Sequence, residues 1–160
     1  MPDSPAKIVL LAFSGSSTNS GIVKASRIFD SLIGRRLWYV PRRSKDLVVG
    51  SIVVFYEAGS GVRGYATVSE VTDAEPIDQG SLVQFGLYHL PVKIVLSDIV
   101  IFESPVQLGV LVDRLDFVSN KKYWGHSLRA TPRTISHKDF ETILDFHAKS
   151  PSLKSFLKNS

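Results

Sequence analysis

Residues Ile8-Val9-Leu10-Leu11-Ala12-Phe13 form an unbroken apolar run. A run this short, opening on β-branched residues and ended by Ser14-Gly15, reads as a buried first strand. It falls far below the roughly 20 residues that cross a bilayer. At 160 residues and 44% hydrophobic, the chain fits one domain over 1–160 and can bury a sizeable core. It contains no cysteine, which excludes disulfides, thiol nucleophiles and thiolate metal sites. The first residues do not pair a basic region with an apolar one, so a soluble, cytoplasmic protein without a membrane partner is expected.

After the first strand comes a polar loop, Ser14 to Gly21. Then Ile22, Ala25, Ile28-Phe29 and Leu32-Ile33 recur at helical spacing, with Asn19 or Ser20 as N-cap and Gly34 as a left-handed stop. Arg36 to Val40 reads as a second strand ended by Pro41. Val48–Tyr56 and Val62–Val71 read as a hairpin turning through Glu57-Ala58-Gly59-Ser60-Gly61. Residues Asp73 to Gly80 form an acidic connector, and Leu82–Leu90 and Val92–Phe102 are strand-like. Ser104-Pro105 predicts a short helix by the cap-then-proline rule, with Leu108, Leu111, Val112 and Leu115 on one face. Ser136 predicts another helix, with Asp139 at its third position and Phe140, Ile143 and Leu144 inward, and a last one begins at Pro151. Five or six strands with peripheral helices make an α+β domain built on a small mixed β-barrel.

The net charge of +4 is unevenly spread: +6 over residues 1–45, −7 over 46–118 and +5 over 119–160. Two basic ends around an acidic middle would make one cationic face if they met in space, and such a face attracts polyanions. The run from Gly34 to Lys45 holds five cations, no anion and the pair Trp38-Tyr39. Arginine suits phosphate and an aromatic face suits a base, although the same run also fits a basic strand edge whose aromatics face the core. Tyr123-Trp124 lies among Lys121, Lys122, Arg129 and Arg133, with no acid between Phe117 and Lys138. Single strands and flipped bases need that combination.

Other motifs carry less. Gly59-Ser60-Gly61-Val62-Arg63-Gly64 matches G-x-G-x-x-G, but Tyr65, Thr67, Ser69 and Val71 then alternate as a strand does, so the glycines belong to a hairpin. The loop Ser14–Gly21 lacks the lysine of a phosphate loop and any nucleophile-elbow pattern; it reads as a capping loop that could also line a ligand site. His89, His126, His137 and His147 show no metal-ligand spacing, and no carboxylate pair stands out as an acid/base couple. No cofactor or metal is expected.

The succession of first strand, polar loop, helix and Trp/Tyr-bearing strand, then Val49-Gly50-Ser51-Ile52-Val53-Val54-Phe55-Tyr56 and Gly64-Tyr65-Ala66-Thr67-Val68, resembles the PUA-like superfamily, in particular its EVE and ASCH branches. Pro105-Val106-Gln107-Leu108 and the helix at Ser136–Leu144 sit where EVE-like domains place comparable elements. The resemblance implies a barrel that binds RNA, or DNA carrying a modified or flipped base, in a cleft between barrel and first helix. Ser14, Ser16, Trp38, Tyr39 and Tyr56 would line that cleft, with Trp124 as a further stacking residue. Arg35, Arg36, Arg42, Arg43, Lys121, Lys122, Arg129 and Arg133 would hold phosphates. Some ASCH-like proteins are small amidohydrolases that keep a Lys and a Glu in a G-x-K-x-x-E-x-R stretch; here Arg36 and Tyr39 stand at those places. Arginine stays protonated and cannot serve as a base, which argues against hydrolysis. A nucleoside-directed amidohydrolase, or an interaction domain accompanying a toxin, acetyltransferase or restriction system, are the alternatives.

Overall fold

The apolar run becomes β1 (Ile8–Phe13), and its surroundings explain why it carries no polar residue. In the computed structural model, which describes residues 6–18, 21–87, 90–118, 122, 125 and 132–149, β1 lies inside a sheet with a core on each face. Val9 and Leu11 belong to one core, together with Val53 and Phe55. Ile8 and Leu10 belong to the other, with Val54 and Tyr56. Successive side chains on a strand face opposite ways, so a strand covered on both faces must be apolar throughout.

The chain leaves β1 through a small ribbon, β2 (Ser16–Thr18) and β3 (Gly21–Val23), and enters α1 (Ala25–Gly34). Asn19 and Ser20, the expected N-caps, lie outside the described residues; the helix begins at Ala25 with Lys24 as its N-cap, and Ile22 of β3 stands almost fully exposed. Ile28, Phe29, Leu32 and Ile33 then face the first core as their spacing predicts. The left-handed residue that ends the helix is Arg36 (φ 59°), two positions after Gly34. Its amide donates to the Ile33 carbonyl at 2.9 Å, closing the last turn.

β4 (Leu37–Val40), β5 (Ile52–Glu57), β6 (Gly61–Asp73), β7 (Val92–Val106) and β8 (Arg133–Ile135) complete a curled, half-barrel sheet in the order β4-β7-β6-β5-β1-β8. Only the β1–β5 pair is parallel among the described residues. Register shifts along the β6–β7 ladder mark bulges that bend these two long strands. At Gly64 (φ 154°) a Cβ would press on the Val100 carbonyl of β7, so only glycine lets the strands close there. The G-x-G-x-x-G match is thus a hairpin and strand, with no helix behind it.

Two stretches depart from the sequence reading. Residues 73–80 are not simply a connector: Pro76–Val83 is a helix, α2, and residues 82–87 are its end and a turn rather than a strand. Ser104-Pro105 opens no helix, because β7 continues to Val106, where it pairs with Val62. Leu108, Leu111, Val112 and Leu115 are buried as expected, but on two short 3-10 turns, Leu108–Val110 and Val112–Arg114. The helix expected at Pro151 lies outside the described residues. The Ser136 signal is met by α3 (His137–Ala148), where the Ser136 hydroxyl accepts from the Asp139 amide at 3.1 Å.

Two buried carboxylates pin these outer segments to the sheet. Asp139, 0% exposed, accepts from the amides of Asp116 at 2.7 Å and Phe117 at 3.0 Å, tying α3 to the segment after the 3-10 turns. Asp78 of α2 accepts from the Tyr39 hydroxyl of β4 at 2.8 Å and from the Glu75 amide at 2.8 Å, and the Lys93 ammonium of β7 lies 3.3 Å away. Burial alone would raise the Asp78 carboxyl, but the Glu75 amide, the Tyr39 hydroxyl and Lys93 together hold it below the ordinary carboxylate range.

Each peg makes a prediction. Asp139→Ala removes the acceptor of two amides, and it should cost about 3 kcal/mol of stability by denaturant titration. Asp78 stabilises the fold fully above the unfolded carboxylate value of about 3.9, and that share is lost as pH falls through its lower folded value. The stability gap between wild type and Asp78→Asn should therefore hold steady above pH ~5 and close towards pH ~2. A gap that does not change with pH would contradict this account of the carboxylate.

Candidate functional site

The C-terminal end of β1 opens into a cavity of about 230 Å³. One wall is Leu11 to Gly15, a second is Ile28 and Leu32 of α1, and a third is Trp38 to Pro41; Leu87, Leu90 and Pro132 form the rest. The ends of parallel strands are where such crevices arise, because the chain must leave the sheet there. Trp38 anchors the floor. It is 6% exposed, with its ring centroid 4.9 Å from Phe55, 5.3 Å from Phe13 and 6.1 Å from Phe29. Phe13 in turn stacks on Phe29 at 5.3 Å. Edge and offset contacts of this kind hold each ring in one orientation.

Beneath Phe29 sits Arg63, its guanidinium 5.0 Å from the ring centroid. It donates to Glu57 at 2.6 Å and lies 4.0 Å from Asp30. The cation therefore braces the aromatic floor from behind and does not line the cavity.

The polar equipment of the cavity is sparse. Tyr39 is its only titratable lining residue among those described. Burial, and then the hydrogen bond and charge of Asp78, push the phenol well above its ordinary value, against a weaker opposite pull from Arg35. Tyr39 is thus a protonated donor already committed to Asp78 and has no capacity as a base. Ser14 is exposed on the rim, and its hydroxyl makes only a long 3.4 Å contact with the Gly15 carbonyl. Main-chain groups of Ser14 and Gly15, past the end of β1, add hydrogen-bonding capacity at the rim. Such a site can hold a flat, largely apolar ring and read its edge; among the described lining residues none is placed as a general base.

The other residues singled out in the sequence are distributed unevenly. Ser16 does not line the cavity; its hydroxyl donates to the Phe85 carbonyl and fastens the ribbon to the turn after α2. Tyr56 lies on the opposite face of the sheet, in the second core, and lines a different hollow. Arg42 and Arg43 directly follow Pro41 of the wall and are exposed, Arg43 in a surface pair with Asp73 at 2.9 Å. Arg133 follows Pro132, bonds the Phe117 carbonyl at 3.0 Å and sits 5.7 Å from the Phe117 ring centroid. Arg133 is thus turned to the second core, where Leu10 and Phe117 lie, and of the two basic ends only Arg42 and Arg43 stand directly beside the cavity wall among the described residues. Arg36 goes elsewhere, lining a separate groove with Asp30 and Asp98, while Arg35 is exposed beside the end of α1. Lys122 is exposed; Trp124, Lys121 and Arg129 lie outside the described residues.

Several residues of the site were not singled out in the sequence. Phe13, Leu87, Leu90 and Pro132 line it, and Asp78 positions Tyr39. Phe13 ends a buried strand, which is a usable signal. Glu75-Pro76 followed by Asp78 is another, since an acid before a proline and a second acid in the first turn mark a helix start. No group of three or more His, Cys, Asp or Glu among the described residues could hold a metal ion, and no helix there is long and apolar enough to cross a membrane.

No family model matches the chain, and no curated protein does. Among solved structures, the ASCH protein of Zymomonas mobilis superposes with a TM-score of 0.55 at 9% identity, over 88% of this chain and 95% of that one. A mutant of it with a serine changed to alanine gives 0.54 at 10% identity, over 89% of this chain and 97% of that one. Another, with a tyrosine changed to phenylalanine, gives 0.55 at 6% identity, over 87% and 97%. Likeness at such identity carries architecture and not chemistry. The strand order, the crossover helix and these superpositions together give the chain an ASCH-type, PUA-like fold.

Proposed function

We propose that this chain binds nucleic acid and takes one base, carried by RNA or flipped out of DNA, into the cavity floored by Trp38. The observation that carries this reading is the pairing of a rigid aromatic cavity, sized for one ring system, with exposed arginines on the segment that leaves its wall. A base gains from stacking and from hydrogen bonds at its edge, and neither needs a titratable group. Arg42 lies next to Pro41 in an exposed position, and Arg43 gives up little by leaving an exposed partner for a phosphate. Hydrolysis is the weaker reading because Tyr39, the one titratable wall residue among those described, is held protonated by burial and by Asp78.

Anisotropy titrations with labelled RNA and DNA oligonucleotides, plain and base-modified, at two salt concentrations test the proposal. Affinity should fall with salt, and Arg42→Ala with Arg43→Ala should flatten the log–log slope by roughly 0.7 per arginine. Ser14→Phe, at an exposed rim position, should block entry and weaken base-dependent binding about tenfold without changing the melting temperature. Absence of binding to every oligonucleotide would remove the proposal. Turnover of an acylated nucleoside that Ser14→Phe abolishes would replace it with the hydrolase.

A further inference from the structure

The hollow that holds Tyr56 has features that packing alone does not require. It measures about 340 Å³ and is bounded by the β5–β6 turn at Gly59, Ser60 and Gly61 and by Gln107 and Val110 on the segment after β7. No charged side chain lines it. Tyr56 itself is 8% exposed, yet its hydroxyl makes no hydrogen bond among the described residues. That hydroxyl is not sealed away either: the single sealed and unpartnered side-chain polar atom among the described residues is Nε2 of His147. A phenol whose ring is packed in the core while its hydroxyl stays accessible presents that hydroxyl to whatever enters the hollow. Burial also pushes the phenol above its ordinary value, so the group stays a donor.

The surroundings define what would satisfy it. Gln107 is exposed and offers an amide donor and an amide acceptor. Ser60 donates to Glu57 at 3.0 Å and so faces a ligand as an acceptor. Neutral donors and acceptors over a surface with three glycines, Gly59, Gly61 and Gly109, suit an uncharged planar group with both kinds of hydrogen-bonding atom on one edge. The position of the hollow narrows this further. Tyr56 is the register partner of Ala12, and Ala12 lines the Trp38 cavity. Paired strands lie about 4.8 Å apart, so the two openings flank the same end of the β1–β5 pair on opposite faces of the sheet.

We infer that the Tyr56 hollow is a second binding site, for another base of the strand whose neighbour occupies the Trp38 cavity. This rests on the nucleic-acid reading above. Tyr56 donates to a carbonyl or ring nitrogen of that base, Gln107 pairs with its edge, and Gly59, open where a side chain would stand, lets the base approach the backbone.

Amide NMR spectra of the full chain, titrated with the four free nucleosides and with RNA and DNA tetranucleotides containing all four bases, test it. Nucleosides should shift the amides of Ser14 and Gly15, whereas tetranucleotides should also shift those of Gly59, Gly61 and Gly109. Tyr56→Phe, which keeps the ring in its core, should raise the tetranucleotide Kd roughly fivefold, the loss of one neutral hydrogen bond, and leave nucleoside binding as it was. If tetranucleotides move Ser14 and Gly15 but not the three glycines, or if Tyr56→Phe binds as wild type, the second site is refuted and the first stands. If the glycines alone move, the Trp38 cavity loses its assigned role and the two-base arrangement is refuted with it. If nothing moves, both readings fall.

Discussion

The parallel pairing of β1 with β5 sets the terms for the rest of the molecule. Two parallel neighbours cannot be joined by a tight turn, so the chain between them has to cross from one end of the sheet to the other. Here the crossing consists of the β2–β3 ribbon, α1 and β4, and it covers one face of the sheet. The opposite face is closed by α3 and the 3-10 turns. With both faces covered, Ile8 to Leu11 and Val53 to Tyr56 are buried without interruption, and each alternate residue feeds a different core. The same pairing aligns the two strand ends. Phe13 sits opposite Glu57 and Ala12 opposite Tyr56, so the Trp38 cavity and the Tyr56 hollow arise back to back at one place.

Carboxylates do the fastening that a small sheet cannot do by apolar contact alone. Asp78 and Asp139 are both buried; Asp139 accepts from two backbone amides, and Asp78 from one amide, the Tyr39 hydroxyl and the nearby Lys93 ammonium. Bonds from amides to a charged acceptor are stronger than neutral ones, and they are directional. Asp78 thereby fixes where α2 lies on β4, and the turn after α2 carries Leu87 to the cavity wall. The Phe85 carbonyl, in the same turn, receives the Ser16 hydroxyl. Wall, ribbon and α2 are therefore one mechanical unit, and a change at Asp78 reaches the cavity without touching a lining residue other than Tyr39.

The features legible in the sequence are those set by short-range chemistry. A six-residue apolar run, a glycine-rich turn between two strands, and Ser136 three residues ahead of Asp139 each fix their own geometry and are found as read, except that the strand before the turn begins at Ile52 and not at Val48. α2 was hidden because its eight residues include Gly80 and bury only Asp78 and Leu82, so no apolar period announces it. The cap-then-proline pattern at Ser104-Pro105 was a sound local signal that the β6–β7 ladder overrides, since Val106 finds its partner in Val62. Trp38 as a cavity residue followed from an aromatic pair on a strand. The same alternation rule says that Tyr56 faces away from Phe55, but it cannot say which hollow lies on that side.

The basic run around Trp38 divides according to backbone geometry rather than charge. Arg36 occupies the left-handed turn that ends α1, a conformation costing roughly 1–2 kcal/mol for a residue with a Cβ. Holding it there sends its side chain to the groove of Asp30 and Asp98 and away from the Trp38 cavity. Tyr39, on the buried strand that follows, is drawn into the Asp78 bond. The two places where an ASCH-like hydrolase would carry a Lys and a Glu are thus occupied by a helix-ending residue and a structural hydroxyl. Neither could be restored to chemistry by one substitution. Arg36→Lys would still lie outside the cavity, and Tyr39→Glu would set a carboxylate against Asp78, where two like charges in a buried position cannot both stay ionised. What is left of the run at the cavity is a flat apolar wall ending in Pro41 and two exposed arginines, an arrangement suited to holding a ring and the phosphate beside it.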